Sequence, residues 1–410
     1  MKKLLVRIQH RILDLYNHIQ FKFCKKEDKS IFFFPHPNCK TDNYDIIHYQ
    51  SDNVLCLINY IIRKPNYNDY TLYIVVYDIE KVSEYKHYVH DVNANANVVF
   101  VDYQDKYNIG KYSSRSSYLF TDTAATFFKY RSPRQMVVCL NYYIPFKNDY
   151  ITDSVLRSKT KKVNSTFDYF ILTAYIPSVI SALVRSFPLE KFLLLGFCRN
   201  DTFYTQTKII KTRLEETFGF SVKKYIVYTP TYRDYEYESI EEIKRDLFGY
   251  NDTDYEALEQ ILEETQTVII AKLHPLQNNI RLSEHKTSRI MMFPELQCLG
   301  YSLYQYLSES DGLITDYTST FFDYLHRNRP VIFNWYDFDK YKDTRGFSLN
   351  PIGFFSAGEQ VRTSQELIIA IERIAKDEDL YKEQREKVAS LFDDYYDGNN
   401  TQRVCDYFLK

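Results

Sequence analysis

Short apolar runs bounded by turn and loop residues recur along the whole chain. Most are rich in Val, Ile, Phe and Tyr, and they are continuous rather than alternating with polar residues. A continuous apolar run of this length is typical of a strand that is buried on both faces of a parallel sheet. The predicted strands are 31–34, 71–77, 97–101, 118–121, 136–140, 169–172, 192–195, 224–228, 267–271, 289–293, 312–315 and 331–335.

Helical patterns lie between these strands, and the alternation predicts doubly wound α/β units. The strand rhythm is interrupted around 188–223, which indicates two Rossmann-like domains followed by a helical tail. We expect a basic amphipathic helix in 1–28, a first Rossmann-like domain in 29–195 and a second in 196–410. The predicted helices are 52–63, 176–187, 239–246, 254–264, 364–375, 381–394 and 401–409.

The N-terminal segment combines positive charge with a helical apolar face. Positions 1 to 26 contain seven Lys or Arg residues and one acidic residue, Asp14. The apolar positions recur at three- and four-residue spacing. Such a helix can lie on an anionic membrane surface or pack on the first domain with its basic side solvated, and both interpretations stay open. The apolar positions are Leu5, Ile8, Ile12, Leu15 and Ile19.

Composition excludes several classes of protein. The 410 residues are 45% hydrophobic and 26% charged with a net charge of -2, so a globular protein without a basic field for nucleic acid is expected. Seven scattered cysteines without a CxxC pair fit reduced thiols in a cytoplasmic protein. No apolar run approaches the roughly 18–20 residues of a membrane span, and Arg7 and Arg11 interrupt any signal-peptide core. The absence of GxGxxG and Walker motifs disfavours NAD and P-loop chemistry.

Segment 313–323 is the strongest of the polar segments that follow predicted strands. Its strand ends near Asp316, and the hydroxyls of Thr318 and Ser319 stand where the next helix is expected to begin. A helix N-terminus with hydroxyl groups can bind a phosphate. Asp323, one turn further on, can accept hydrogen bonds from a ribose or alditol hydroxyl. Ordinary helix capping with a solvated Asp is the alternative interpretation.

Two further segments follow strands in the second half. In 272–275, Lys272 and His274 are two positions apart on an extended segment, so both can point at one anion. In 228–234, Thr231 follows Pro230 and could cap a helix or help to bind phosphate, with Arg233 nearby. A structural histidine and a plain helix entry are the respective alternatives.

Two segments of the first half complete the set. In 196–201, Arg199 follows a Gly turn and is a candidate phosphate-binding fork. In 141–147, Lys147 and two tyrosines are the only candidate groups.

Taken in order, these segments resemble the CDP-glycerol glycerophosphotransferase family of teichoic-acid primases and polymerases. Segment 228–234 is similar to the family's aromatic-Ala-Pro-Thr-aromatic-Arg-Asp motif, 272–275 to its Lys-x-His-Pro, and 196–201 to its Gly-x-Pro-Arg-Asn-Asp. The block 310–347 is close to the family pattern, and 397–403 is similar to its closing Asp-Gly…Arg segment. Single motifs are weak signals, whereas the ordered set is specific.

The resemblance implies a GT-B-like fold, with two Rossmann-like domains facing across a cleft that binds a CDP-alditol. Cations and a helix N-terminus around the diphosphate would stabilise charge as CMP leaves. Lys272 and His274 are implied both in catalysis and in donor binding. The implied donor contacts are Arg199, Pro230, Thr231, Lys272, His274, Thr318, Ser319 and Asp323.

One departure from the family pattern concerns the catalytic base. The family carries a Trp-His-Gly-Thr-x-x-Lys-like motif whose His is taken as the base, and Tyr142 stands at the matching position. A tyrosine, with an ordinary pKa of about 10, is a poor base at neutral pH. His36, in the loop after the first strand, is the nearest substitute by topology, and a structural role for it is the alternative.

The resemblance implies transfer of glycerol phosphate, or a related alditol phosphate, from a CDP-activated donor to a hydroxyl of a cell-wall or capsular polymer or its lipid-linked primer. The alternatives are a GT-B glycosyltransferase that uses a nucleotide sugar and a catalytically impaired paralogue that binds the donor. The implied location is the cytoplasmic face of the cell membrane, as a peripheral protein. No metal-ligand cluster is visible in the sequence, and Mg²⁺ on the diphosphate stays open. The sequence does not specify the alditol or the acceptor.

Overall fold

A computed structural model of the chain shows two compact units. The first comprises Met1–Tyr142, Tyr150–Asp201 and Asp397–Lys410, and the second comprises Tyr143–Asp149 and Thr202–Tyr396. The structure describes residues 2–34, 52–77, 79–80, 97–122, 130–141, 144, 146–148, 161, 164–205, 209–231, 233, 245–273, 287–293 and 302–409.

The first unit is built on a parallel sheet with the order β3-β2-β1-β4-β5-β6-β7. The order reverses between β1 and β4, as in a Rossmann-like doubly wound sheet. The strands are β1 (Glu27–Phe34), β2 (Thr71–Val76), β3 (Asn97–Asp102), β4 (Ser116–Thr121), β5 (Met136–Cys139), β6 (Tyr169–Leu172) and β7 (Phe192–Leu194). The helices are α1 (Lys2–Phe23), α2 (Asp52–Arg63), α3 (Lys106–Arg115), α4 (Tyr175–Arg185) and, from the far end of the described chain, α13 (Asn400–Phe408).

Helices α2 and α13 share the core of the first unit. Helix α2 buries Val54, Leu57, Ile58, Ile61 and Ile62, a spacing that places all five on one helical face. Helix α13 contributes its own apolar face to the same cluster. Each fully buried side chain of this size contributes about 1.5–3 kcal/mol, so the two helices are integral to the unit. The residues that α13 contributes are Val404, Cys405 and Phe408.

Helix α1 packs on α3, and the face of α1 that makes this contact lies opposite its apolar stripe. Phe21 is buried, and the hydroxyl of Tyr130 donates a 2.5 Å hydrogen bond to Asp14. Ile12, Leu15 and Ile19, in contrast, are 44–60% exposed. The described part of the predicted apolar face is therefore on the surface rather than against the first unit. None of the helices in the described ranges is long and apolar enough to cross a membrane.

The second unit is built on a parallel sheet with the order β10-β9-β8-β11-β12-β13. Its strands are β8 (Lys224–Thr229), β9 (Thr267–Ala271), β10 (Ile290–Met292), β11 (Gly312–Thr315), β12 (Val331–Asn334) and β13 (Glu359–Val361). Its helices are α5 (Ile209–Phe218), α6 (Tyr255–Glu264), α7 (Leu303–Glu309), α8 (Thr320–Tyr324), α9 (Phe338–Thr344), α10 (Ile352–Phe355), α11 (Ser364–Ala375) and α12 (Lys382–Phe392).

Most predicted elements are confirmed within two residues at each end where the structure describes them, but β1 begins at Glu27 rather than at 31, and α1 ends at Phe23 rather than at 28. Most of the predicted helix 239–246 lies outside the described residues. Strand β13 was not predicted because it is short and only Val361 of its three residues is buried. The two units also differ from the predicted domain boundaries. Residues 196–201 and 397–410 belong to the first unit because the helical tail packs there, and 143–149 belong to the second.

Candidate active site

The second sheet has its topological switch point between β8 and β11. From β8 the sheet grows to β9 and β10 on one side, and β11 then returns to the other side of β8. Ligands of such sheets bind outside the strand C-termini at this point. Thr229 and Thr315, which end the two strands, are register partners. Segments 230–231 and 316–319 therefore leave the sheet side by side.

A buried ion network fixes these two segments. Both carboxylate oxygens of Asp316 lie 2.9 Å from the backbone N–H of Thr231, and Nη1 of Arg233 donates to Asp316 at 2.7 Å. Nε and Nη2 of Arg233 donate to Asp337 at 2.6 and 3.0 Å. The three charged side chains are each buried. Because the polar atoms of Arg233 are engaged within the protein, the structure places Arg233 and Asp316 in the framework of the site.

Charge and aromatic rings hold Arg233 in its ionised form. Burial by itself would lower the pKa of Arg233, but the neighbouring charge of Asp316 and Asp337 outweighs it and holds the pKa well above the ordinary value. The guanidinium carbon also lies 5.0 Å from the ring centroids of Tyr317 and Tyr336. The network therefore positions the loops after β8, β11 and β12 through a cation that cannot lose its proton.

The hydroxyl of Thr231, unlike the groups of this network, is not hydrogen-bonded to any of the described residues. Thr231 is 5% exposed, and its Oγ1 is buried. Burying a hydroxyl without a partner costs about 1–3 kcal/mol, and a bound ligand could offset this cost by accepting its hydrogen bond. Thr231 thus presents a donor at the switch point, next to the half-buried Pro230.

Thr318 and Ser319 occupy the turn from β11 into α8. Both are half-buried, the hydroxyl of Thr318 lies 3.2 Å from that of Thr320, and the side chain of Ser319 makes no capping bond. Helix α8 has five residues and continues into a short 3-10 turn, Leu325–Arg327. Its dipole is therefore small, and the hydroxyls and N–H groups of the turn are the groups that could bind an anion.

Lys272 follows β9, the neighbour of β8 on the side away from β11. Its backbone N–H donates to the carbonyl of Tyr228 at 2.8 Å, which extends the pairing by one residue, and its side chain is half-buried. Two strand spacings, about 10 Å, separate β9 from β11. Lys272 thus lies along the same sheet edge as Thr231, Thr318 and Ser319.

Asp323 lies one turn into α8 and is 1% exposed. Its Oδ2 accepts a 2.6 Å hydrogen bond from the hydroxyl of Tyr304 in α7. The alternative interpretation of Asp323 as a solvated carboxylate is therefore wrong, since the side chain is buried, whereas its predicted contact with the donor stays a prediction. The sequence alone gave no signal for Tyr304, because its contact with Asp323 spans two helices.

Arg199 lies in the first unit, where segment 196–201 binds α13. Its backbone N–H donates to the side chain of Asn53 at 3.0 Å, and its guanidinium lies 4.6 Å from the ring centroid of Phe197. Asp201 accepts hydrogen bonds from the N–H groups of Asn400 and Thr401 at 2.9 and 2.8 Å. This segment thus joins two parts of the first unit that are distant in sequence.

Lys147 lies in the second unit. It forms an antiparallel bridge with Phe347, and the neighbouring ring of Phe146 is 5.3 Å from Phe322 in α8. The end of segment 141–147 is consequently packed against the helix that carries Asp323.

His36, Tyr142 and His274 lie outside the described residues, so their predicted roles stay predictions. No role was assigned to Asp337 from the sequence, although its position just after a buried strand was the available signal. Among the residues that the structure describes, no group of three or more His, Cys, Asp or Glu side chains is placed to hold a metal ion.

Solved structures share this fold over nearly the whole chain. The wall teichoic acid polymerase TagF superimposes with a TM-score of 0.74 at 20% identity, covering 98% of this chain and 94% of that one. The UDP-GlcNAc 2-epimerase of Neisseria meningitidis gives a TM-score of 0.52 at 12% identity, covering 93% and 98% of the two chains. At these identities the likeness concerns the fold, and it confirms the predicted GT-B-like class.

Sequence relatives are more specific. The teichoic acid glycerol-phosphate primase of Bacillus subtilis is 29% identical over 251 residues, which cover 60% of this chain and 58% of the relative. The teichoic acid glycerol-phosphate transferase of Staphylococcus aureus is 34% identical over 220 residues, covering 53% and 51%. The chain thus matches a little over half the length of each. The model of the CDP-Glycerol:Poly(glycerophosphate) glycerophosphotransferase family matches residues 43–410, and the chain therefore belongs to this family.

Proposed function

We propose that this protein transfers glycerol phosphate, or a related alditol phosphate, from a CDP-activated donor to a hydroxyl of a cell-wall or capsular polymer or its lipid-linked primer. The acceptor oxygen attacks the β-phosphorus of the donor, the bond from that phosphorus to the bridging oxygen breaks, and CMP leaves with the bond's electron pair. The proton of the acceptor hydroxyl passes to a base. Family membership supports the proposed reaction. The geometry of the β8/β11 switch point supports it as the donor-binding site.

The observation that carries the proposal is the buried hydroxyl of Thr231, which has no hydrogen-bond partner among the described residues, on the same sheet edge as the half-buried Thr318 and Ser319. A diphosphate there would accept the hydrogen bond that Thr231 lacks, and Lys272 along the same edge would supply positive charge. Pro230 and Asp323 would shape and orient the donor. For Arg199, the donor contact is proposed from the family resemblance alone.

The proton-transfer step is assigned to residues that the sequence predicts. His274 and Lys272 would stabilise the phosphate, and Tyr142 or His36 would take the place of the family's histidine. The experiment must therefore separate binding from chemistry.

The test is a donor screen by mass spectrometry with CDP-glycerol, CDP-ribitol and nucleotide sugars, each with a lipid-linked acceptor, in Mg²⁺ and in EDTA. Release of CMP with a new phosphodiester from CDP-glycerol is the expected result. Release of a nucleoside diphosphate would identify a glycosyltransferase. Calorimetric binding of CDP-glycerol without turnover would identify an impaired paralogue. Replacing His274 by Ala should remove most turnover, and near-normal turnover would exclude His274 from the site.

We also infer that the protein works at the cytoplasmic membrane face through α1. The stripe of Ile12, Leu15 and Ile19 is exposed, and Arg11 and Lys22 are exposed beside it. An exposed apolar stripe flanked by cations matches an anionic bilayer, which takes up the apolar groups and neutralises the charge.

Vesicle co-sedimentation tests this inference. The wild type should bind phosphatidylglycerol vesicles more tightly than phosphatidylcholine vesicles, and Leu15→Gln with Ile19→Gln should weaken binding by about tenfold or more. Leu380→Gln is a matched control because Leu380 is 67% exposed in the second unit. Equal binding of all variants would exclude α1 as the membrane contact.

A further inference from the structure

We propose that Tyr304 is a positioning residue that holds Asp323 in the orientation that the donor requires. The inference rests on the proposed function, because Asp323 matters to turnover only if it contacts the donor. Its direct basis is the 2.6 Å hydrogen bond from the Tyr304 hydroxyl to Oδ2 of Asp323. The two side chains are 6% and 1% exposed, so water cannot replace this bond. A bond to a carboxylate in such surroundings is short, directional and about twice as strong as a neutral one.

Tyr304 is itself held firmly. It is the second residue of α7, which begins with a capping box: Ser302 accepts from the backbone of Gln305, and the Gln305 side chain accepts from the backbone N–H of Ser302 at 2.7 Å. Its ring meets Phe203 edge-on at 6.0 Å. Phe203 in turn stacks on His326 at 5.7 Å. The phenol therefore approaches Asp323 from a fixed position.

The His326 end of this stack is anchored by two hydrogen bonds. Nε2 of His326 lies 2.9 Å from Asp393, and Nδ1 lies 3.0 Å from the hydroxyl of Tyr204. The imidazole is fully buried between these partners. The stack thus runs from Asp393 to Tyr304, and it restrains the ring that carries the Tyr304 hydroxyl.

The backbone of α8 is also held by contacts that do not involve Tyr304. Phe322, the preceding residue, stacks on Phe392 at 4.2 Å and meets Phe146 at 5.3 Å. These contacts hold the helix without touching the carboxylate. Loss of the Tyr304 hydroxyl would leave α8 in place and remove this hydrogen bond from the carboxylate.

A purely structural hydrogen bond is the competing explanation, and the chain offers a matched control for it. Tyr324 is the next residue after Asp323, its side chain is also buried, and its hydroxyl lies 2.9 Å from that of Ser310. Tyr304→Phe and Tyr324→Phe each remove one buried phenolic hydroxyl from the same part of the second unit. Only the first removes a bond to Asp323.

The experiment compares the two variants in steady-state kinetics and in calorimetry with CDP-glycerol. We expect Tyr304→Phe to weaken donor binding and lower kcat/KM by about tenfold, mainly through KM, while Tyr324→Phe stays within about twofold of the wild type. Thermal melting should show both variants folded at the assay temperature.

A double variant separates positioning from stability. Tyr304→Phe should add little to Asp323→Ala, since the hydroxyl acts through the carboxylate. Additive losses, or equal losses in the Tyr304 and Tyr324 variants, would overturn the inference while the proposed function stands. A wild-type protein that neither binds nor consumes CDP-glycerol would instead overturn the proposed function, and the inference with it.

Discussion

Gly196 lies directly against Asn400 in the first unit. A Cβ atom at Gly196 would stand 2.1 Å from Oδ1 of Asn400, and the backbone of Gly196 has a φ of +79°. Asn400 in turn donates a 3.2 Å hydrogen bond from Nδ2 to the carbonyl of Phe197. Only a glycine allows the loop after β7 to approach α13 this closely while it adopts the left-handed conformation.

We therefore expect Gly196→Ala to destabilise the protein by about 3 kcal/mol, of which about 1 kcal/mol comes from the left-handed backbone and the rest from the overlap with Asn400. Gly219→Ala is the control, because Gly219 has a φ of +76° and nothing lies within 4 Å of its Cβ position. Urea unfolding measures both. Equal losses in the two variants would show that the approach to Asn400 does not matter.

The Arg233 network predicts a large asymmetry between two arginines. Arg233→Met leaves the carboxylates of Asp316 and Asp337 buried without their cation, which should cost about 3–5 kcal/mol of unfolding free energy. Arg362→Met removes an ion pair with Asp339 in which both side chains are more than half exposed, and should cost less than about 1 kcal/mol. Thermal and urea unfolding test this. A small loss at Arg233 would mean that the network does not support the loops.

Thr231 should show opposite effects on stability and on donor binding. Thr231→Val keeps the shape and removes a buried hydroxyl that lacks a partner, so the free energy of unfolding should stay the same or rise by about 1 kcal/mol. Binding of CDP-glycerol should weaken by about tenfold if the hydroxyl binds the diphosphate. Thr315→Val is the contrast, since that hydroxyl donates to the carbonyl of Thr229 at 3.2 Å and its loss should destabilise. Unchanged donor binding in Thr231→Val would remove the hydroxyl from the site.

The pH dependence of stability should have opposite signs at two aspartates of the first unit. Burial raises the pKa of Asp201, although bonds from Thr401 and Asn400 oppose it. The folded protein then holds this proton more tightly than the unfolded chain does. The resulting stabilisation is complete below the ordinary pKa of 3.8 and is lost as pH rises through the raised value. Relative to Asp201→Asn, the wild type should therefore gain stability as the pH falls from 7 towards 4.

Asp397 supplies the opposite case. The hydrogen bond from Arg403 lowers its pKa, so its contribution is present above 3.8 and is lost as the pH falls through the lowered value. Relative to Asp397→Asn, the wild type should lose stability on acidification below about pH 4, by a small amount because the group is mostly exposed. Urea unfolding at a series of pH values checks both aspartates, and parallel trends would contradict the assignment.

Local patterns predicted elements well where burial decides the structure. Helix α2 (Asp52–Arg63) and helix α11 (Ser364–Ala375) were predicted with the bounds that the structure shows, because each has an apolar face of helical period and a clear end. The rule that parallel strands present ligand groups at their C-termini also placed Thr231, Lys272 and Ser319 on one sheet edge.

Long-range pairings were beyond the sequence. The apolar face of α13 indicated that it packs on a core but not on which one. Nothing in the sequence indicated that Asp201 accepts hydrogen bonds from the first residues of α13. Arg233 forms ion pairs with Asp316 and Asp337, and the sequence did not distinguish such an arginine from one that contacts a ligand. The packing partner of α13 and the ion partners of Arg233 depend on contacts between side chains of different elements. A pattern along a single element does not specify such contacts.

The place of α13 has a consequence for how the protein is made. The first unit is completed by residues that follow Tyr396, so the whole of Thr202–Tyr396 emerges from the ribosome before Phe408 can reach Phe120, 5.7 Å away in the finished core. A nascent chain that has already built the second unit still presents the uncovered apolar surface of the first. Expression in separate halves divided at residue 201 would leave that surface permanently bare, whereas a split that keeps 397–410 with the earlier residues could restore it.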